Sequence, residues 1–169
     1  GIKIQDVRFK GAKGNTMSAL LYIPPNATPQ IPAPGILAVH GYINSRETQD
    51  GFAIEFARRG YVVLALDQTG HGYSDPPAFA NGFGGPDGLA YLRSLEIVDK
   101  NNIGLEGHSM GGWTVLAAAL SMFDGIRRVR GHCQPPHCRR RHRDRGIGAL
   151  LRPGAAVFTA KRREHISHA

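Results

Sequence analysis

Gly107-His108-Ser109-Met110-Gly111 is a G-x-S-x-G pentapeptide. Before it, Asn102-Ile103-Gly104-Leu105-Glu106 alternates apolar residues and reads as a strand. After it, the run from Gly112-Trp113 to Leu120 is long and apolar and reads as a buried helix. A strand, a tight turn and a helix form the context in which this pattern carries a mechanism. The turn forces the serine into strained backbone angles, and the flanking glycines let strand and helix approach without Cβ clashes. The Ser109 hydroxyl is then held out at the end of a sheet. The start of the next helix offers free N–H groups and a partial positive charge to an oxyanion formed there.

Upstream, Ile2, Ile4, Val7 and Phe9 alternate with polar residues, as in a half-buried strand. Ala19 to Ile23 is a second strand closed by Pro24-Pro25, and the two are expected to form an antiparallel hairpin. Gly35-Ile36-Leu37-Ala38-Val39 and Tyr61 to Leu66 are continuous apolar runs, suited to central strands buried on both faces. Between them, residues 46–59 set Phe52, Ile54, Phe56 and Ala57 among Arg46, Glu47, Asp50, Glu55 and Arg58, an amphipathic helix closed by Gly60. A loop rich in glycine follows from Phe79 to Asp87, then a helix over Gly88–Val98. Strands alternating with helices predict an α/β fold, with a mostly parallel sheet and helices on both faces. In such sheets sites form beyond the carboxyl ends of the strands, where His40, Asp67 and Ser109 fall.

With 169 residues the chain is long enough for one domain with a real core, and 41% hydrophobic content is ordinary for a globular protein. No apolar run reaches the roughly 20 residues of a membrane span. No basic-then-apolar leader precedes the first strand, so no signal peptide is expected in this sequence. Two cysteines, Cys133 and Cys138, make no disulfide framework. The net charge of +8 is unevenly spread. Residues 1–125 hold 9 Lys/Arg against 11 Asp/Glu, and residues 126–169 hold 12 against 2, with five of the eight histidines. Two segments are therefore expected: a core over 1–125 and a basic, Arg/His-rich segment over 126–169.

Residues 1–125 resemble the N-terminal half of an α/β-hydrolase. Three motifs occur in that order: His40-Gly41-Tyr42, then Asp67-x-x-Gly70-His71-Gly72-x-Ser74, then Gly107–Gly111. The passage from Tyr91 through Gly104 is similar to the dienelactone hydrolase and prolyl-oligopeptidase branches of that superfamily. The resemblance implies that Ser109 is a nucleophile attacking an acyl carbonyl. It implies that the backbone N–H groups of Met110 and Tyr42 form the oxyanion hole. It makes His40 structural rather than the base, gives Asp67 and Gly70–Gly72 a loop-shaping role, and places His108 as a packing residue inside the elbow. No metal or organic cofactor is implied. The expected activity is cleavage of a small-molecule carboxylic ester through an acyl-enzyme, and a peptide bond is the alternative substrate.

The triad order in this fold is Ser, then Asp or Glu, then His, so both partners should follow residue 125. Gly125 to Arg130 could begin a further strand, but Gly131 to Arg145 loses all periodicity, and clustered like charges cannot fill a core strand. Ala155 to Ala160 regains strand character. Glu164 is then a conceivable acid among arginines, and His165 and His168 are late histidines suited to a solvated tail. Three accounts of 126–169 stand side by side. A truncated or frame-shifted reading explains the change of composition together with the missing triad. A basic segment binding nucleic acid or another polyanion is permitted by its charge, although Phe158 is its single aromatic. A zinc knot from His132, Cys133, His137, Cys138 and His142 has ligands but no matching second pair.

Overall fold

A computed structural model of the chain describes residues 1–122, together with the strand backbones of 149–152 and 155–161. Strands β1 (Lys3–Lys10) and β2 (Thr16–Ile23) form the expected antiparallel hairpin, with Lys3 opposite Ile23. β3 (Ala33–Val39) and β4 (Val62–Leu66) are the two apolar runs, and β4 is buried at every residue. β5 spans Val98–His108, β6 Ala149–Arg152 and β7 Ala155–Lys161. The sheet order is β1-β2-β4-β3-β5-β7-β6. Parallel pairing runs through the three central strands β4, β3 and β5, and the flanking pairs are antiparallel.

Helices cover both faces of this sheet, because central strands without polar alternation must bury both sides. On one face Ile36, Ala38, Val63 and Ala65 meet Ala53 and Ala57 of α1 (Asp50–Arg58). On the other, Leu37, Val39, Leu64 and Leu66 meet Leu89 and Leu92 of α3 (Gly85–Ser94) and Val115 and Ala118 of α4 (Met110–Met122). A four-residue turn, α2 (Ala80–Phe83), precedes α3.

Several boundaries differ from the sequence reading. The helix expected over 46–59 is a 3-10 turn, Arg46–Gln49, followed by α1. The helix expected over Gly88–Val98 starts at Gly85 and stops at Ser94, where Leu95 turns extended. Val98 instead opens β5 opposite Ala33, and the register then shifts between Pro34 and Gly35, so Lys100 to Asn102 bulge within the strand. The junction expected near residue 125 lies outside the described residues, as do the strand expected over 125–130, Cys133, Cys138 and the His/Cys cluster around them.

Register positions the site. Val39 pairs with Leu66 on one side and Gly107 on the other. The three central strands therefore end level with one another, and the segments opening at His40, Asp67 and Ser109 leave from one edge. β7 runs the opposite way: Ala155 pairs with His108 and Lys161 with Asn102. Its carboxyl end lies at the far edge from Ser109. Glu164, His165 and His168 are outside the described residues.

Candidate active site

β5 ends at His108 and α4 begins at Met110, so the reversal is made at Ser109 alone. Ser109 sits at φ 53°, a left-handed angle that costs a residue with a Cβ about 1–2 kcal/mol. The close crossing of strand and helix requires it. A Cβ on Gly107 would overlap the Gly111 carbonyl, and one on Gly111 would overlap the Val39 carbonyl. The Gly112 N–H donates to the Ser109 carbonyl at 2.9 Å and closes the bend. The side of Ser109 is left open, and the residue is exposed.

The loop after β3 lies against this bend. A Cβ built on Gly41 would stand 3.5 Å from the Ser109 Cβ and 3.0 Å from His108 Nδ1. Tyr42 follows directly, and no described group accepts from its N–H. The Met110 N–H is in the first turn of α4, where the helix supplies no acceptor. Gly41 therefore packs against the bend that carries Ser109, Met110 opens the helix after it, and Tyr42 is the residue after Gly41. His108 departs from expectation: it is exposed, because the left-handed bend turns it outward beside Gly41 rather than into the elbow.

His40 is fully buried. The Gln68 backbone N–H donates to its Nε2 at 3.1 Å, so Nδ1 carries the hydrogen and donates to the Gly41 carbonyl at 2.7 Å. Burial pushes its pKa down and holds the ring neutral. The Gln68 side chain donates to the His40 carbonyl at 2.8 Å, and Thr114 of α4 donates its hydroxyl to Gln68 Oε1. This chain of contacts ties the end of β3 to the segment after β4 and to the elbow helix. Gln68 and Thr114 carried no signal in the sequence beyond their positions after a strand and on a helix.

Asp67 is also fully buried. It accepts from Ser18 Oγ at 2.8 Å, from the Arg46 N–H at 2.8 Å and from the Tyr73 N–H at 3.1 Å. A Cβ on Gly72 would overlap its carboxylate. Asp67 therefore fastens the loop after β4 to β2 and to the 3-10 turn. Arg46, read from sequence as a solvent-facing helix residue, is buried here: its guanidinium bonds Asp6, Ser18 Oγ and the Ala19 carbonyl. Its alkyl stem and charge bridge β1 and β2 to the loop, and only the tertiary arrangement makes that reach available.

Two further groups stand out. Glu106, on β5 facing the α1 side, is 4% exposed, and its Oε2 has no partner among the described residues. It lines a cleft of about 460 Å³ with Ile36, Phe56, Arg59, Tyr61 and Asn102. Burial pushes its pKa up to about 7. At the other side of the sheet edge, Tyr42, His71, Phe79 and Phe83 form an aromatic cluster. Among the described residues, no group of three or more His, Cys, Asp or Glu is placed to hold a metal ion, and no helix is long and apolar enough to cross a membrane.

Residues 34–139 match the model of the alpha/beta hydrolase fold family. The chain belongs to the α/β-hydrolase family. A serine hydrolase-like protein of Dictyostelium discoideum is 30% identical over 95 residues, 56% of this chain and 26% of that protein. An esterase of Pyrococcus furiosus superposes with a TM-score of 0.56 at 22% identity, covering 68% of this chain and 45% of its own. Acetyl xylan esterase 1 from Thermoanaerobacterium superposes with a TM-score of 0.57 at 20% identity, covering 70% and 44%. The chain spans about a quarter of the length of the first curated relatives it matches. In α/β-hydrolase terms, the described part holds the elbow strand and helix and the loops beside them.

Proposed function

We propose that this α/β-hydrolase cleaves a carboxylic ester through an acyl-enzyme on Ser109. The observation that carries the reading is an exposed hydroxyl on a one-residue bend at φ 53°, with Gly41 packed beside it. Ser109 Oγ adds to the ester carbonyl carbon, and the carbonyl oxygen becomes an oxyanion. The N–H groups of Tyr42 and Met110 receive that charge, each contributing about 2.7–4 kcal/mol by analogy with a measured oxyanion donor. Collapse expels the alcohol, which takes up the proton lost by the serine. Water then adds to the acyl-enzyme, releases the carboxylic acid and restores Ser109.

His40 is not the base in this reading, because both its ring nitrogens are engaged. No described histidine hydrogen-bonds Ser109 Oγ, and the proton relay is assigned to a base outside the described residues. Hydrolysis of p-nitrophenyl acetate, compared with Ser109→Ala, tests the proposal. Turnover lost in the variant supports it, and turnover that survives the substitution overturns it. Covalent labelling by a fluorophosphonate asks separately whether Ser109 is activated.

The charge distribution favours a second reading. Twelve Lys/Arg against two Asp/Glu in 126–169 suit a hydrolase-like protein without turnover whose basic segment binds polyanions. Absence of turnover with salt-sensitive binding to nucleic acid would support it.

A further inference from the structure

Five residues other than glycine have positive φ among the described residues: Ile43, Phe79, Asn81, Phe83 and Ser109. All five lie beyond the carboxyl ends of β3, β4 and β5, at the edge that carries Ser109. Strained backbone of this kind persists only where the surroundings over-determine it, and it gathers at functional sites. Three of the five fall on the left-handed turn at Phe79–Gly84, and glycines Gly82 and Gly84 share its hand.

The turn is held firmly. The Thr69 N–H donates to the Phe83 carbonyl at 3.1 Å, and the Thr69 hydroxyl donates to the Ala80 carbonyl at 3.2 Å. A Cβ on Gly82 would lie 2.7 Å from the Ala117 Cβ of α4, and one on Gly84 would overlap the end of Met17. The turn is thus clamped between the loop after β4, the elbow helix and β2. Yet the phenylalanines it carries do not belong to either core cluster, and Phe79 is 51% exposed. Phe79 stacks on Tyr42 at 6.5 Å between centroids, with rings 19° apart, and meets Phe83 edge-on at 5.3 Å. Tyr42 is itself 58% exposed and touches His71 edge-on at 5.9 Å. Among the described residues, this strained turn presents an aromatic surface outside both core clusters.

We propose that Phe79, stacked on Tyr42, is a specificity-determining residue: it forms an apolar wall that selects esters with a bulky apolar or aryl acyl group over acetate-sized ones. The inference rests on the reading of Ser109 as nucleophile. In that reading the Tyr42 amide receives the carbonyl oxygen, and the ring of the same residue, continued by Phe79, is assigned to the acyl side of the ester.

The test compares kcat/KM for p-nitrophenyl phenylacetate and p-nitrophenyl acetate in the full chain and in Phe79→Ala and Phe79→Tyr. Alanine keeps a Cβ and so keeps the left-handed strain, which isolates loss of the ring. Phe79→Ala is expected to lower the phenylacetate value about tenfold with acetate changed less than about twofold, and Phe79→Tyr to retain the preference. Equal loss on both esters, or no change in their ratio, overturns the proposal. Binding of phenylacetamide to Ser109→Ala, followed by saturation-transfer NMR, separates the wall from the nucleophile. Binding that disappears on adding Phe79→Ala supports the wall even if fluorophosphonate fails to label Ser109. Binding that is indifferent to Phe79 overturns it.

Discussion

Replacing Glu106 by glutamine should remove a pH-dependent penalty from the fold. Glu106 is 4% exposed, and no described group bonds its Oε2, so burial alone raises its pKa from the ordinary 4.5 to about 7. The unfolded chain releases this proton near pH 4.5, whereas the folded chain keeps it until about pH 7. Between those values the folded state binds more protons than the unfolded one, so stability falls as pH rises. Below the window both states are protonated and there is no penalty, and above it both are ionised and the penalty is complete. The gap corresponds to about 3 kcal/mol. Urea denaturation followed by far-UV circular dichroism at pH 4.5, 6 and 8 measures it in the parent and in Glu106→Gln. His40 acts in the opposite sense, since a ring kept neutral by burial loses stability as pH falls below its ordinary range. That contribution is common to both proteins and cancels in their difference. The difference in stability should grow by about 3 kcal/mol in favour of the variant from pH 4.5 to pH 8. Parallel pH curves would show that Glu106 is solvated or paired when folded, and would refute the reasoning.

Two other substitutions probe the supports of the site. Asp67→Ala leaves the buried Arg46 without its nearest buried carboxylate and strands the Arg46 and Tyr73 N–H groups, at a cost of about 3 kcal/mol in denaturant unfolding. Gly111→Ala drives a Cβ into the Val39 and His40 carbonyls, so the elbow must open; a loss of roughly 3 kcal/mol in thermal unfolding is expected.

The sequence made the elbow legible because both its glycines are fixed by close backbone contact. A side chain on Gly107 would strike Gly111, four residues on, whereas one on Gly111 would strike the end of β3. The central strands were legible for a similar reason: a strand buried on both faces admits no polar alternation, and Val62 to Leu66 has none. Helix ends were less so. Val98 has the apolar character of a helix face, but pairing with Ala33 draws it into β5. Arg46 reads as surface by composition, yet it is buried, because Asp6, Ser18 and Asp67 arrive from three other segments. The burial of Glu106 was hidden as well, since the strand pattern does not say what lies over its α1 face. The left-handed turn at Phe79–Gly84 showed only as a glycine-rich loop, although two phenylalanines in it take positive φ.

The amino-acid order alone determined that a serine stands on a sharp bend between a buried strand and an apolar helix, because the sterics of that bend are local. It also determined which strands lie at the centre, because burial on both faces dictates their composition. Only the tertiary structure decided that Gly41 comes beside Ser109. It also fixed His40 as neutral and locked, and sent β7 antiparallel to β5, away from that serine. Those outcomes depend on strand register and on contacts between segments tens of residues apart, and no short-range pattern encodes them.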